Sequence, residues 1–390
     1  MRPIRVLYLI DSLGPGGAQR QLVTLVRSLD RELVAPEVAV YHPLDHFRPE
    51  LEAVGVPVHL LRGLSGRDPR VLLGLSRLIG RGGYDLVHSY LRTPGTLARL
   101  AVPSSRATKV IVSERNEDLG HSQLRLGLER LLSRRAVAMI ANADAIAREV
   151  TSLVPSWAGR VHVVPNGIDW SAPTSAEQAA AVEFRERHVG DADRLLAVVG
   201  RIEKQKAPDL LFDALERLPG DVLARLRVVW VGPRIDRGLA DAIESRLASS
   251  DLAGRLEFMG ETRDTRSVYL GADGIVLCSR WEGLPNVVLE AMAHGRPVVA
   301  TDAGDTGILV KGGPGRWLVP PDDPAALASA LIEFSGTSEE ELAALGRKGS
   351  ELVLEDYSAL RLAERTVEVY QEVMGSELRT NEWEEESQDA

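Results

Sequence analysis

Short apolar runs alternate with helix-length stretches along most of the chain. The first run, Ile4–Ile10, stops at Asp11-Ser12-Leu13-Gly14-Pro15-Gly16-Gly17, and Leu22, Leu25, Val26 and Leu29 follow at helical spacing. Runs at Val38–Val40, Val56–Leu61, Leu86–Val87, Val110–Val112, Val137–Ile140 and Val161–Val164 repeat the pattern. Alternation of this kind predicts a parallel sheet covered by helices on both faces. The rhythm pauses at Pro165-Asn166-Gly167-Ile168-Asp169 and a polar, Ala-rich stretch that runs to about Asp193. It then restarts with strands at Leu195–Val199, Arg227–Val231, Leu256–Phe258, Ile275–Cys278 and Pro297–Thr301, separated by helices at Pro208–Leu218, Arg237–Ala248 and Pro285–His294.

The expectation is therefore an α/β protein of two Rossmann-like, doubly wound domains facing each other across a cleft. Residues 1–170 form the first domain, 171–193 a linker and 194–356 the second domain. A single core rarely exceeds about 250–300 residues, so 390 residues fit two domains. Ligands of such sheets bind beyond the carboxyl ends of the strands, which puts substrates in the cleft.

Composition narrows the class. The chain is 44% hydrophobic and 26% charged, a globular balance. Its one cysteine, Cys278, excludes a disulfide framework and a cysteine metal cluster, and fits a reducing compartment. No apolar run approaches the roughly 18 residues of a membrane span, so a cytoplasmic protein is expected. Charge is uneven: residues 1–170 hold 22 Lys+Arg against 16 Asp+Glu, and the remainder 24 against 40. A basic first half suggests an anionic partner there. Residues 376–390 hold six acids and one arginine and read as a disordered acidic tail.

Three segments carry candidate chemistry. Gly14-Pro15-Gly16-Gly17 lies between a strand and a helix, where free N–H groups favour an anion. It is not G-x-G-x-x-G, and the second strand ends at Tyr41-His42 without the acid that would hold a dinucleotide ribose. Arg201 and Lys206 follow the first strand of the second domain, where two fixed cations suit a pyrophosphate leaving group. In Glu282-Gly283-Leu284-Pro285-Asn286-Val287-Val288-Leu289-Glu290, Pro285 near the first helical position and Gly295 past the end bracket a short helix. Its start offers the N–H groups of Gly283, Leu284 and Asn286 as a second anion site. Glu290 can face away from the sheet and accept from a ribose diol, while Glu282 reaches sugar hydroxyls. Carboxylates beside a pyrophosphate make sense if the ligand also carries many hydroxyls, as a nucleotide sugar does.

These segments together resemble glycosyltransferase family 4, retaining enzymes of the GT-B fold. The resemblance spans most of residues 4–375 and rests on Gly-Pro-Gly-Gly-Ala-Gln-Arg at 14–20, Pro-Asn-Gly-Ile-Asp at 165–169, Gly-Arg…Lys at 200–206 and Glu-x7-Glu at 282–290. It implies that Arg201 and Lys206 hold the donor diphosphate, Glu290 the nucleotide ribose and Glu282 the transferred sugar. Gly16 and Gly17 would close over the diphosphate from the acceptor side. It further implies a helix at 357–375 that crosses back to the first domain, no cofactor and no metal; Asp191-Ala192-Asp193 reads as a turn before a strand. A UDP-sugar donor and a glycan, lipid-linked or small-molecule acceptor, in polysaccharide or glycolipid synthesis, complete the expectation.

Two departures stand out. Gln19 occupies a position where the family often has Glu. Where many members carry an acceptor-side His, this chain has Val112-Ser113-Glu114-Arg115-Asn116. Ser113, Glu114, Arg115, Asn116 and His121 are therefore the acceptor-side candidates. Glu114 is a possible base and Arg115 a phosphate ligand, or the two form an internal ion pair. Glu282, Arg201, Lys206 and Glu114 make up the catalytic set. His88 reads as a structural histidine ahead of a catalytic one. Arginines at 62, 67, 70, 77 and 81, and at 125, 130, 134 and 135 among leucines, suggest either an anionic membrane surface or an ordinary exposed face. With few aromatics in these stretches, nucleic acid is not expected. A sugar-nucleotide epimerase of related fold and a catalytically silent binding module are the alternative readings.

Overall fold

The computed structural model describes residues 2–63, 65–103, 107–115, 123–311 and 316–375. Among these, two parallel sheets lie in succession. The first holds β1 (Ile4–Leu9), β2 (Val34–Val40), β3 (Val58–Leu60), β4 (Leu86–Tyr90), β5 (Lys109–Glu114), β6 (Ala138–Ala141) and β7 (Val161–Val163) in the order β3-β2-β1-β4-β5-β6-β7. The second holds β8 (Arg194–Val199), β9 (Leu226–Val231), β10 (Leu256–Gly260), β11 (Gly274–Leu277), β12 (Val298–Thr301) and β13 (Trp317–Val319) in the order β10-β9-β8-β11-β12-β13. Every pairing is parallel, with Val6 opposite Leu86 and Leu196 opposite Val228 at the sheet centres. Such strands are buried on both faces, which is why Val6, Leu7, Tyr8 and Leu9 are all inaccessible and read as an unbroken apolar run. The expected double α/β architecture is what the chain adopts.

One buried apolar cluster runs from Leu7, Val87 and Ile146 in the first domain to Leu284, Val288 and Val298 in the second, so the two bodies share a seam. The far face of the first sheet is covered in part by helix Ala359–Met374, whose Leu362, Val367 and Tyr370 join Tyr8, Ile10 and Leu22. The C-terminal helix thus crosses back. Its entry is pinned at the Pro-Asn-Gly-Ile-Asp turn: Ile168 N–H donates to Tyr357 O at 2.7 Å, and Ala359 N–H to Ile168 O at 2.9 Å. Gly167 permits this approach, since a Cβ there would lie 2.7 Å from Leu362 Cβ and 3.0 Å from Ser358 O.

Residues 171–193 run between the two sheets. They contain helix Ser175–Val189, started by a capping box between Thr174 and Glu177 and packed on helix Thr265–Gly271 of the second domain. Only Ala181, Phe184 and His188 of this helix are buried, so its apolar period is faint in the sequence. Among the described residues no helix is long and apolar enough to cross a membrane. Asn116, His121 and the acidic tail 376–390 lie outside the described residues.

Candidate functional site

The carboxyl ends of β8 and β11 bring the second-domain candidates together. After β8 the chain turns through Lys204–Lys206 into helix Pro208–Leu215. Gln205 ties this turn to the segment after β11: its side chain donates to Trp281 O at 2.9 Å, and its carbonyl accepts from Arg280 N–H at 2.8 Å. The tie sets Lys206 Nζ 2.5 Å from Glu282 Oε1, with both side chains largely buried. A Lys–Glu pair removed from water holds both groups rigidly and leaves the ammonium two further donors. Arg201 is more than half exposed and pairs with Glu203 at 2.7 Å.

Beyond Glu282 the loop passes directly against the first domain. A Cβ at Gly283 would lie 2.7 Å from Ile146 Cδ1 and 3.1 Å from Arg115 O, so only glycine fits there. Pro285 then caps helix Asn286–Ala293. Among the described residues, the N–H groups of Gly283, Leu284 and Asn286 meet no acceptor, as is usual at a helix start. Opposite them, Gly16 caps helix Gly17–Ser28, and Gly17 O lies 3.5 Å from Asn286 Nδ2.

Asn286 itself is engaged across the seam. Its Oδ1 accepts from Asn166 Nδ2 at 2.6 Å and from Gln21 Nε2 at 3.3 Å. Asn166 also donates to Leu284 O at 3.0 Å and accepts from Arg115 Nη1 at 2.5 Å. Glu290 lies one turn into the helix, is half-buried, and accepts a short hydrogen bond from the Tyr269 hydroxyl. Burial pushes the Glu290 carboxyl above the usual carboxylate range, while the Tyr269 hydroxyl and the Arg20 charge pull it down.

On the acceptor side, Ser113 and Glu114 end β5, Arg115 follows it, and all three are buried. Ser113 Oγ lies 2.8 Å from His88 Nε2, and His88 Nδ1 lies 2.6 Å from the Tyr370 hydroxyl. Ser113 is therefore engaged in the core of the first domain. Desolvation pushes His88 down to about 3, so it stays neutral and structural. Glu114 Oε2 accepts from Arg92 Nε at 3.1 Å, and its Oε1 from the Arg115 N–H at 3.1 Å. The Arg115 guanidinium stacks over Tyr90, 4.6 Å from the ring centroid, and burial lowers its pKa. Among the described residues its Nε has no partner.

Sequence reasoning missed Asn166, Gln21, Tyr269 and Arg92. Asn166 belonged to a recognised turn motif, but its partners are 51 and 120 residues away. No local spacing reports such contacts. Among the described residues no group of His, Cys, Asp and Glu is disposed to hold a metal; Asp191 pairs with Arg255 and Asp193 with Arg225.

Two family models match the chain: "Glycosyltransferase Family 4" over residues 15–171 and "Glycosyl transferases group 1" over 193–336. The D-inositol 3-phosphate glycosyltransferase of Kribbella flavida is 31% identical over 298 residues, 69% of this chain and 68% of that protein. That of Nocardia farcinica is 31% identical over 270 residues, covering 65% of this chain and 59% of its own length. The chain thus spans about three fifths of the length of the first curated relatives it matches. Among solved structures, Anabaena Alr3699/HepE in complex with UDP-glucose superposes with a TM-score of 0.79 at 22% identity, covering 95% of this chain and all of that one. A glycosyltransferase from Rickettsia africae superposes with a TM-score of 0.78 at 16% identity, covering 96% and 99%. These likenesses identify the fold as GT-B.

Proposed function

Because this chain belongs to glycosyltransferase family 4, within the group 1 glycosyl transferases, we propose that it moves a sugar from a nucleotide-diphosphate sugar to an acceptor hydroxyl with retention of configuration. The observation that carries this reading is the Lys206–Glu282 pair, set beside the free N–H groups of Gly283, Leu284 and Asn286. The donor diphosphate lies against Lys206, Arg201 and those N–H groups, under Gly16 and Gly17. Glu282 accepts from hydroxyls of the transferred sugar, and the Glu290 oxygen not engaged by Tyr269 accepts from the ribose. The bond between the anomeric carbon and the diphosphate breaks, and a bond to the acceptor oxygen forms on the same face. The acceptor proton passes to the departing phosphate oxygen, and Lys206 and Arg201 stabilise the charge that develops there. This division of labour requires neither cofactor nor metal. UDP is the favoured nucleotide, a choice supported by the UDP and UDP-glucose bound to the Anabaena neighbour.

The acceptor meets the first domain at Arg115, whose buried guanidinium favours an acceptor bearing phosphate; its Nε has no partner among the described residues. The relatives named for D-inositol 3-phosphate support that choice. In this reading Glu114, ion-paired to Arg92, orients the Arg115 backbone and takes no proton. Glycolipid or polysaccharide assembly is the favoured setting. Helix Gln123–Leu132 leaves Leu124, Leu128 and Leu131 exposed at i, i+4 and i+7, next to the exposed Arg134 and Arg135, as contact with an anionic membrane surface requires.

The test is a thermal-shift series with UDP, GDP, dTDP and ADP on the wild type and Glu290→Ala. A ligand at 100 times its dissociation constant stabilises by about 2.7 kcal/mol. One nucleotide stabilising the wild type and not the variant supports the donor site; no stabilisation by any of them contradicts it. Product analysis separates transfer from epimerisation, which would return a changed nucleotide sugar and leave the acceptor unmodified.

A further inference from the structure

Helix Asp144–Leu153 of the first domain starts without a cap of its own. Its N-cap residue is Ala143, which has extended backbone and no side chain able to accept. The missing acceptor comes from the other domain. Asp305, in the segment after β12, takes the Asp144 N–H on Oδ2 at 2.5 Å and the Ala145 N–H on Oδ1 at 3.0 Å. Its own N–H donates to Gly283 O at 2.9 Å. Asp305 is 4% exposed, so this contact is sealed from water.

The peptide that Asp305 grips is the one between Gly283 and Leu284, one residue beyond Glu282. On its other side that peptide abuts Ile146, in the first turn of the helix that Asp305 caps, and the Arg115 carbonyl. Asp305 therefore joins the first-domain helix end, through its carboxylate, to the loop carrying Glu282, through its backbone N–H, and the carboxylate bonds exist only when the two domains are together.

We infer that Asp305 is a positioning residue that couples domain closure to the seating of Glu282 on Lys206. With the domains apart, the helix end is uncapped and the Glu282 loop loses one of its walls. With them together, both N–H groups are satisfied and the loop is clamped. Asp305 touches no substrate in this account and acts through Gly283 and Glu282. The kinetic part of the inference rests on the transferase reading; the contact itself does not.

The experiment compares the wild type, Asp305→Ala, and Asp305→Ala combined with Ala143→Ser, which gives the helix a cap from its own domain. Amide exchange over residues 142–150 reads the contact without any assay of activity. Loss of the cap is expected to speed exchange at Asp144 and Ala145 about tenfold in Asp305→Ala, and Ala143→Ser to restore it. Turnover is expected to fall about tenfold or more in both variants, with little change in the donor KM, because the Ala143→Ser cap leaves the backbone at 305, and the Glu282 loop bonded to it, unanchored to the first domain. Unchanged exchange in Asp305→Ala overturns the inter-domain cap. Recovery of turnover together with protection in the double variant overturns the coupling, since the carboxylate would then serve the helix alone. If the wild type transfers no sugar at all, the transferase reading fails while the exchange result still decides the contact. Asp305→Asn, which keeps one acceptor, provides the same comparison should the alanine variant fold poorly, with an intermediate loss expected.

Discussion

Asn166 Nδ2 lies 2.6 Å from Asn286 Oδ1, and this bond ties the turn at the end of the first domain to the first residue of helix Asn286–Ala293. Asn166 simultaneously holds Leu284 O and Arg115 Nη1. Three groups on two domains thus depend on one amide. Asn166→Ala removes the partner of Leu284 O and of Arg115 Nη1 and leaves Asn286 Oδ1 with Gln21 alone, and a buried unpaired polar group costs about 1–3 kcal/mol. The expected outcome is a loss of about 2–3 kcal/mol in thermal or urea unfolding. Asn166→Asp keeps an acceptor for Arg115 but loses the donor to Asn286 and Leu284, so a smaller loss is expected.

Glu290 titrates above an ordinary carboxylate because burial opposes its charge. If its ionised oxygen accepts from the ribose, nucleotide affinity falls as pH drops through that raised value. Tyr269→Phe removes an influence that lowers the value, so the fall begins at a higher pH than in the wild type. Glu290→Gln abolishes the dependence. Dissociation constants measured between pH 8 and pH 5 read all three. For stability the sign is opposite: the native state holds the proton more tightly than the unfolded chain, so this group's contribution declines as pH rises between the two values. Glu290→Gln is therefore not expected to weaken the fold above that window.

Glu114 distinguishes two mechanisms. A general base contributes about 10²–10⁴-fold to rate, so its loss in Glu114→Gln would be severe if it took the acceptor proton. The ion pair with Arg92 and the bond to the Arg115 N–H give it a different part. We expect Glu114→Gln to lower turnover by less than about tenfold, well under the effect of a lost base. Single-turnover rates at saturating donor measure this directly.

The exposed leucines of helix Gln123–Leu132 make their own prediction. Leu124 is 85% and Leu131 75% exposed. Vesicles containing phosphatidylglycerol should sediment the protein where phosphatidylcholine vesicles do not, and added salt should weaken the effect. Leu124→Gln with Leu131→Gln should abolish sedimentation without changing the melting temperature. Equal sedimentation of that double variant would remove this face from the account.

How far the sequence reaches depends on whether a feature has a local period. The parallel strands are legible because both of their faces are apolar, and the places of Lys206, Glu282 and Glu290 in the fold are legible because strand ends and helix starts fix where they emerge. Helix Ser175–Val189 is not, since three buried positions leave almost no apolar stripe. Ser113 sits at a strand end, and its hydroxyl meets His88 inside the sheet, a contact that no local spacing reveals. Asp305 gave no signal, because its value comes from an uncapped helix 160 residues away. Apart from helix Ser175–Val189, what the sequence hides is polar side chains whose partners are distant in the chain.

The most direct test supplies the nucleotide sugar that binds, together with phosphate-bearing and lipid-linked acceptors, and follows products by mass spectrometry and NMR. The account predicts release of the nucleoside diphosphate and an acceptor heavier by one sugar, with the anomeric configuration of the donor kept. It also predicts loss of that product in Lys206→Ala. A bound nucleotide sugar that is never transferred, is released as a changed nucleotide sugar, or is transferred equally well by Lys206→Ala would contradict it.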